Sequence, residues 1–320
     1  MNLVADLILL IGASLLLIRT TREIIFSLDK ISRHFALSEF STAFILMAVA
    51  TSLPEVFVGV TSALEGASLV SLGNVLGSNI LDLTLVAGIV ALMSRQVVAR
   101  SLIVRRDALY MAFYLFFPFF LLLDKTLSRY DGLLLILIYF LYLLHLLNQR
   151  SSFARHHNHV SRKQALQALF LFVIATFGLL IAADLLVRAA KNIALDLGMG
   201  IGWVGLFFVA LGTSLPEIVF ELKSIRLNHA NLALGDLVGS VVTNSTLVLG
   251  ITALISPIVI ENLWSYLIPF FYLCLIVLLF EIFIRSEKRL VAVEGLILIL
   301  IYIFFLLTEL GFQFLQTAPR

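Results

Sequence analysis

Charge is scarce in this sequence: 320 residues carry 22 Lys and Arg and 20 Asp and Glu, 13% of the chain. Soluble domains average about a quarter charged residues, so a water-facing surface cannot be built from this composition. Cysteine is nearly absent, and Cys274 alone excludes an intrachain disulfide. Strictly alternating apolar and polar segments are missing too: Leu133 to Leu144 is apolar on every face, which excludes a membrane β-barrel. No polar stretch is long enough for a second, soluble domain. The net charge of +2 carries little information as a sum, because in membrane proteins the side on which basic residues lie matters more.

What is present is apolar: 61% of residues, with a mean hydropathy of +1.07. A span needs about 20 mostly apolar residues, and such stretches recur along the chain. The sequence predicts an all-α membrane protein with ten transmembrane helices at 3–19, 37–64, 69–93, 107–123, 132–148, 166–189, 199–223, 231–256, 263–284 and 292–315. The first stretch carries Asp6 and no leading basic residue, so it reads as a retained span rather than a signal peptide. Counting span ends, connections after odd-numbered spans hold 17 Lys and Arg, against 5 on the other side including both termini. By the positive-inside rule both termini face outward in a cell (inner) membrane, and the link 149–165 is cytoplasmic.

Residues 48–88 align without gaps on 210–250 at an offset of 162, with 15 of 41 positions identical. Both copies contain TSLPE, Thr51 to Glu55 and Thr213 to Glu217. Asp131-Gly132 and Glu294-Gly295, each opening a long apolar run, repeat at an offset of 163. The expected organisation is therefore a first five-helix repeat (1–148), a linker (149–165) and a second repeat (166–320). An odd number of spans per unit inverts the second copy, so equivalent residues converge near the midplane.

Each motif proline lacks an N–H, so the carbonyl of Ala50 or Gly212 loses its helical partner and helices 2 and 7 are expected to break at TSLPE. Thr and Glu stand four apart and Ser and Glu three apart, which puts hydroxyls and carboxylate on one face. Spans 3 and 8 add Gly73, Gly77, Ser78 and Asp82 against Gly235, Gly239, Ser240 and Asn244; the glycines permit close approach. The halves together offer Glu55, Glu217, Asp82, one amide and at least four hydroxyls, with no histidine or cysteine. Such an all-oxygen set suits a hard cation such as Ca²⁺, whereas zinc or copper would recruit nitrogen or sulfur. Intramembrane carboxylates cost several kcal/mol each, and interhelical glue would not require Pro, Thr and Ser in fixed places twice.

These segments resemble the two alpha-repeats of the calcium/cation antiporter superfamily, in particular compact prokaryotic sodium/calcium exchangers. The resemblance implies ligands from the side chains of Thr51, Ser52, Glu55, Ser78, Asp82, Thr213, Ser214, Glu217, Ser240 and Asn244, and from the carbonyls of Ala48 and Ala210. It implies antiport of Na⁺ against Ca²⁺, with these ions as transported partners, the lipid bilayer as surroundings, and no cofactor, nucleic acid or obligate protein partner. There are three departures from the family pattern. Ala50 replaces a glycine, Val241 replaces an asparagine, and the Asp82/Asn244 pair is swapped between halves. A proton/calcium (or other divalent cation) antiporter is the alternative, although its GNxxE-like context is absent; an ion channel would need a continuous pore. Ser52 and Ser214 lack a suitable general base, against a protease or other enzyme. His156, His157 and His159 read as part of a polar connection, Glu221 as lining the cytoplasmic entrance or pairing with Lys223 or Arg226, and Asp184 as an interfacial or packing residue.

Overall fold

The computed structural model describes residues 3–34, 50–94, 96–98, 102–148, 160–226, 230–286 and 289–317. Helices α1 (Leu3–His34), α2 (Leu53–Leu64) and α3 (Ser68–Leu81) are followed by a π-helical turn (Asp82–Val86), α4 (Ala87–Ser94) and strand β1 (Gln96–Val98). Then come α5 (Leu102–Leu121), β2 (Thr126–Leu127) and α6 (Arg129–Asn148). The second half opens with α7 (Arg162–Leu197), α8 (Ile201–Val204), a π turn (Gly205–Val209), α9 (Ala210–Thr213) and α10 (Leu215–Arg226). It continues with α11 (Ala230–Thr243), a π turn (Asn244–Val248), α12 (Leu249–Ile255), β3 (Ile258–Val259), α13 (Trp264–Ser286), β4 (Arg289–Val291) and α14 (Ala292–Thr317). Among the described residues seven helices are long and apolar enough to cross a membrane, and Leu53–Leu64 and Tyr110–Asp124 are shorter apolar helices. The chain is an all-α integral membrane protein. Residues 37–49 of the expected span 37–64 lie outside the described residues, among them Ala48, as do the three histidines of the link.

Two helices outrun their expected spans. α1 continues to His34 rather than ending at residue 19, and α7 starts at Arg162, inside the expected linker, and runs 36 residues to Leu197. Apolar residues persist on one face of α1 beyond the membrane stretch, where Ile24 is buried, and Arg19 pairs with Glu23 one turn on. A capping box between Ser161 and Gln164 starts α7, and Gly198 in the left-handed conformation ends it. α1 and α7 pack along each other, burying a stripe of small residues on α7 that includes Ala175, Ala182, Ala183, Ala189 and Ala190. Such a stripe allows close backbone approach between helices in lipid.

The halves embrace reciprocally. Positions 96–98 and 258–259 correspond under the repeat, as do 126–127 and 289–290; β1 pairs with β4 and β2 with β3, both antiparallel. Likewise α4 packs on α14, and α12, its counterpart, packs on α6. Glycines set both contacts. A Cβ on Gly88 would lie 2.6 Å from the Gly295 carbonyl oxygen, and one on Gly250 would lie 2.9 Å from that of Gly132. These contacts recur with the halves exchanged, as the internal repeat leads one to expect.

Candidate cation site

Both TSLPE segments break their helices at the serine. Ser52 (φ −81°, ψ 3°) and Ser214 (φ −82°, ψ 0°) have ψ near 0° rather than the helical value of about −42°, and α2 and α10 restart immediately after them. Pro54 and Pro216 then occupy the first turn of a new helix, where a missing N–H costs nothing. Glu55 and Glu217 fall in the same turns, so each carboxylate sits at a positive helix end. Asp82 and Asn244 each open a π turn, a feature frequent at functional sites. The hydroxyls of Thr84 and Thr246, which the repeat relates, donate to the carbonyls of Ile80 and Val242 beside these turns. A third π turn runs directly into Ala210.

These elements bring the expected side chains into one buried polar cluster. Thr51, Ser52, Glu55, Ser78, Asp82, Thr213, Ser214, Glu217, Ser240 and Asn244 are all buried. Hydrogen bonds around the centre repeat between halves. Thr51 Oγ1 donates to Asp236 Oδ1 (3.3 Å) and lies 3.5 Å from Ser240 Oγ. Thr213 Oγ1 donates to Asn74 Oδ1 (3.0 Å) and lies 3.5 Å from Ser78 Oγ. Farther out the repeat turns apolar on one side. Asn79 donates to Ser245 (2.9 Å), and the related positions are Val241 and Leu83; Ser71 bonds Thr252 (2.8 Å), and the related positions are Ala233 and Val90. Val241 is thus half of an apolar substitution rather than an isolated loss.

The centre is short of partners. Among the described residues, both carboxyl oxygens of Glu55, Asp82 and Glu217, the hydroxyls of Ser52 and Ser214, and Asn244 Oδ1 form no hydrogen bond. Thr213 and Ser78 lie close enough to act on the Glu55 carboxyl, yet neither closes a formed bond to it. Buried polar groups left unpaired cost about 1–3 kcal/mol each, and more when charged. Among the described residues, no buried Lys, Arg or His offsets them. A cation placed here would supply the missing partners, and an all-oxygen donor set has the chemistry to hold Na⁺ or Ca²⁺. Among the described residues, no three acidic, histidine or cysteine side chains are close enough to hold one metal together, so hydroxyls and backbone carbonyls must complete any shell. The Ala210 carbonyl accepts from Ser214 N (3.0 Å) and Thr213 Oγ1 (3.3 Å), and so is engaged within its own helix in this conformation.

Three other acids are placed as follows. Glu221 is fully buried and accepts no hydrogen bond among the described residues, while Arg226 is exposed; of the expected interfacial pairings the one with Arg226 does not form, and the side chain of Lys223 lies outside the described residues. Its position one turn beyond Glu217 keeps it on the inward face of α10. Asp184 pairs with Arg188 at 3.0 Å along α7, away from the cluster. Asp236, absent from the expected ligands, is buried within the cluster, and Glu217, Glu221 and Asp82 all feel its charge. Its signal was available: Asp236, Ser240 and Asn244 recur every four residues, one stripe of α11.

A model of the sodium/calcium exchanger protein family matches residues 6–148 and 167–311. The chain is 30% identical over 325 residues to the putative antiporter CaxA of Alkalimonas amylolytica, covering 98% of each. It is 27% identical to the sodium/calcium exchanger MaX1 of Methanosarcina acetivorans, covering 94% of this chain and 97% of that one. A solved structure of the sodium-calcium exchanger NCX_Mj superposes with a TM-score of 0.68 at 25% identity, covering 95% of this chain and 98% of the other. Matched through both halves, with the doubled motif at the centre of each, the chain belongs to the sodium/calcium exchanger family.

Proposed function

We propose that this protein exchanges Na⁺ for Ca²⁺ across the membrane by alternating access. One observation carries the reading: two helix breaks bear unpartnered, buried glutamates ringed by hydroxyl contacts that repeat from one half to the other. Ca²⁺ between Glu55 and Glu217 has both its charges cancelled, and the Thr, Ser and Asn oxygens complete its shell. Several Na⁺ ions divide the same oxygens among themselves. Ca²⁺ and the full Na⁺ load therefore exclude each other at the centre, and each shifts the conformational equilibrium by its differential affinity. The elements α2, α3, α9, α10 and α11 form the site, and α1 and α7 slide or tilt against them along their small-residue interface. Termini outside and residues 149–165 in the cytoplasm follow from the distribution of basic residues.

Proton/calcium antiport is a second reading, favoured by the surplus of buried carboxylates over the charge of one Ca²⁺. Calcium uptake into proteoliposomes separates the two. A sodium gradient is expected to drive uptake, and a pH gradient without sodium is expected to leave it near background. Equal uptake under the pH gradient would remove the sodium assignment.

A further inference from the structure

Two buried acids in the second half stand outside the expected ligand set. Asp236 on α11 corresponds to Asn74 under the repeat, and Glu221 on α10 corresponds to Gly59. Both are buried, and both oxygens of Glu221 and Oδ2 of Asp236 accept no hydrogen bond among the described residues. The helix that carries Glu221, α10, packs directly on α11, which carries Asp236. The first half has no such pair. A Cβ on Gly59 would stand 2.7 Å from Thr252 Oγ1 and 3.3 Å from Ser71 Oγ, which are bonded to each other. The extra carboxylates therefore lie on one side only of an otherwise symmetric centre.

We infer that Glu221 and Asp236, with the Thr51 hydroxyl, form a second cation subsite beside the Glu55 and Glu217 centre, holding a hard monovalent cation while Ca²⁺ occupies that centre. The inference rests on the central-site reading above. Charge counting supports it: Glu55, Asp82, Glu217, Glu221 and Asp236 are buried together, and one Ca²⁺ offsets only two of them. Two carboxylates and a hydroxyl fall short of the 6–8 oxygens that Ca²⁺ takes. A monovalent ion beside Ca²⁺ also meets half the repulsion a second divalent ion would. Na⁺ and K⁺ share this chemistry.

The test is direct binding of radiolabelled Na⁺, and in a parallel arm of Rb⁺ standing for K⁺, to the purified full chain at saturating Ca²⁺. One monovalent cation per chain is expected to remain bound in one of the two arms. Asp236→Asn and Glu221→Gln should each weaken that retained binding about tenfold or more, while Ca²⁺ affinity moves by less than about threefold. Loss of all monovalent binding from the unaltered protein at saturating Ca²⁺ in both arms overturns the subsite, and needs no variant to fold. Equal loss of Ca²⁺ and monovalent affinity in well-folded variants also overturns it, by assigning both acids to the centre. Failed sodium-driven uptake with co-binding intact would instead sink the exchange reading and leave the subsite standing.

Discussion

At the scale of single residues, Glu55 and Glu217 are equivalent by sequence and by position at a helix start, yet their neighbours differ. The threonine next to one half's break donates to a carboxylate, Asp236, and its counterpart donates to an amide, Asn74. Glu217 accordingly feels three nearby acids, Glu55, Asp82 and Asp236. Glu55→Gln and Glu217→Gln are each expected to lower Ca²⁺ exchange by about a hundredfold or more, since each removes several kcal/mol of charge pairing with the ion. Proteoliposome flux normalised to folded protein checks this, and retained flux in either variant would remove the centre as drawn. The doubled TSLPE made this pair legible in the sequence because identical contexts expose it to self-alignment. Asp236 escaped for the opposite reason: where Asn74 stands in the other copy, repetition hides an acid rather than displaying it, and Glu221, opposite Gly59, drew notice only by lying one turn beyond Glu217. Only the spacing of four along each helix points to them.

At the scale of elements, the broken helices were legible because proline removes a backbone donor in any environment. The π turns at Asp82 and Asn244 were not, since an extra residue in a turn changes no periodicity that a short apolar segment can reveal. The ends of α1 and α7 were missed because a hydropathy window stops where charge begins, whereas a helix stops only where a cap or breaker ends it. Glycine contacts are the other hidden feature, legible only once partners are known. Gly88→Ala and Gly250→Ala each drive a methyl toward a carbonyl oxygen of the opposite half. Each is expected to destabilise the protein by about 1–3 kcal/mol and to lower its unfolding temperature. Gly12→Ala, with nothing within 4 Å of the added carbon, should leave it unchanged. Thermal denaturation followed by size-exclusion profile distinguishes these, and equal stability of all three variants would contradict the reciprocal packing.

At the scale of the whole molecule, the long helices are tied to the site-bearing part at an end of α7. Lys191 Nζ meets Glu65 Oε2 at 3.1 Å and the Glu65 carbonyl at 3.2 Å, in the turn between α2 and α3; Asn192 donates to Asp6 of α1 at 2.8 Å. If α1 and α7 move against that part, this ion pair belongs to one conformation only. Being partly exposed it is worth about 0.2–1 kcal/mol after solvent screening, enough to shift the balance of states by up to about fivefold. Lys191→Ala should therefore raise hydrogen exchange in the turn at 65–67 and change apparent Ca²⁺ affinity by a few-fold without changing which ions are carried. An unchanged exchange profile would show that the tie does not report on the state.

The reciprocal pairing of β1 with β4 and β2 with β3 also orders events at birth. None of the four described strands finds its mate within its own half, and Gly88 meets its partner glycine only after residue 295 has been made. At synthesis rates of about 5–20 residues per second, Glu55 and Asp82 enter the membrane roughly ten to thirty seconds before Glu217 and Asn244 exist. For that interval the first half holds its acids without the second half to enclose them. The nascent chain is thus at its most vulnerable midway through translation, and the site comes into being late, as an act of closure between two pieces that each began incomplete.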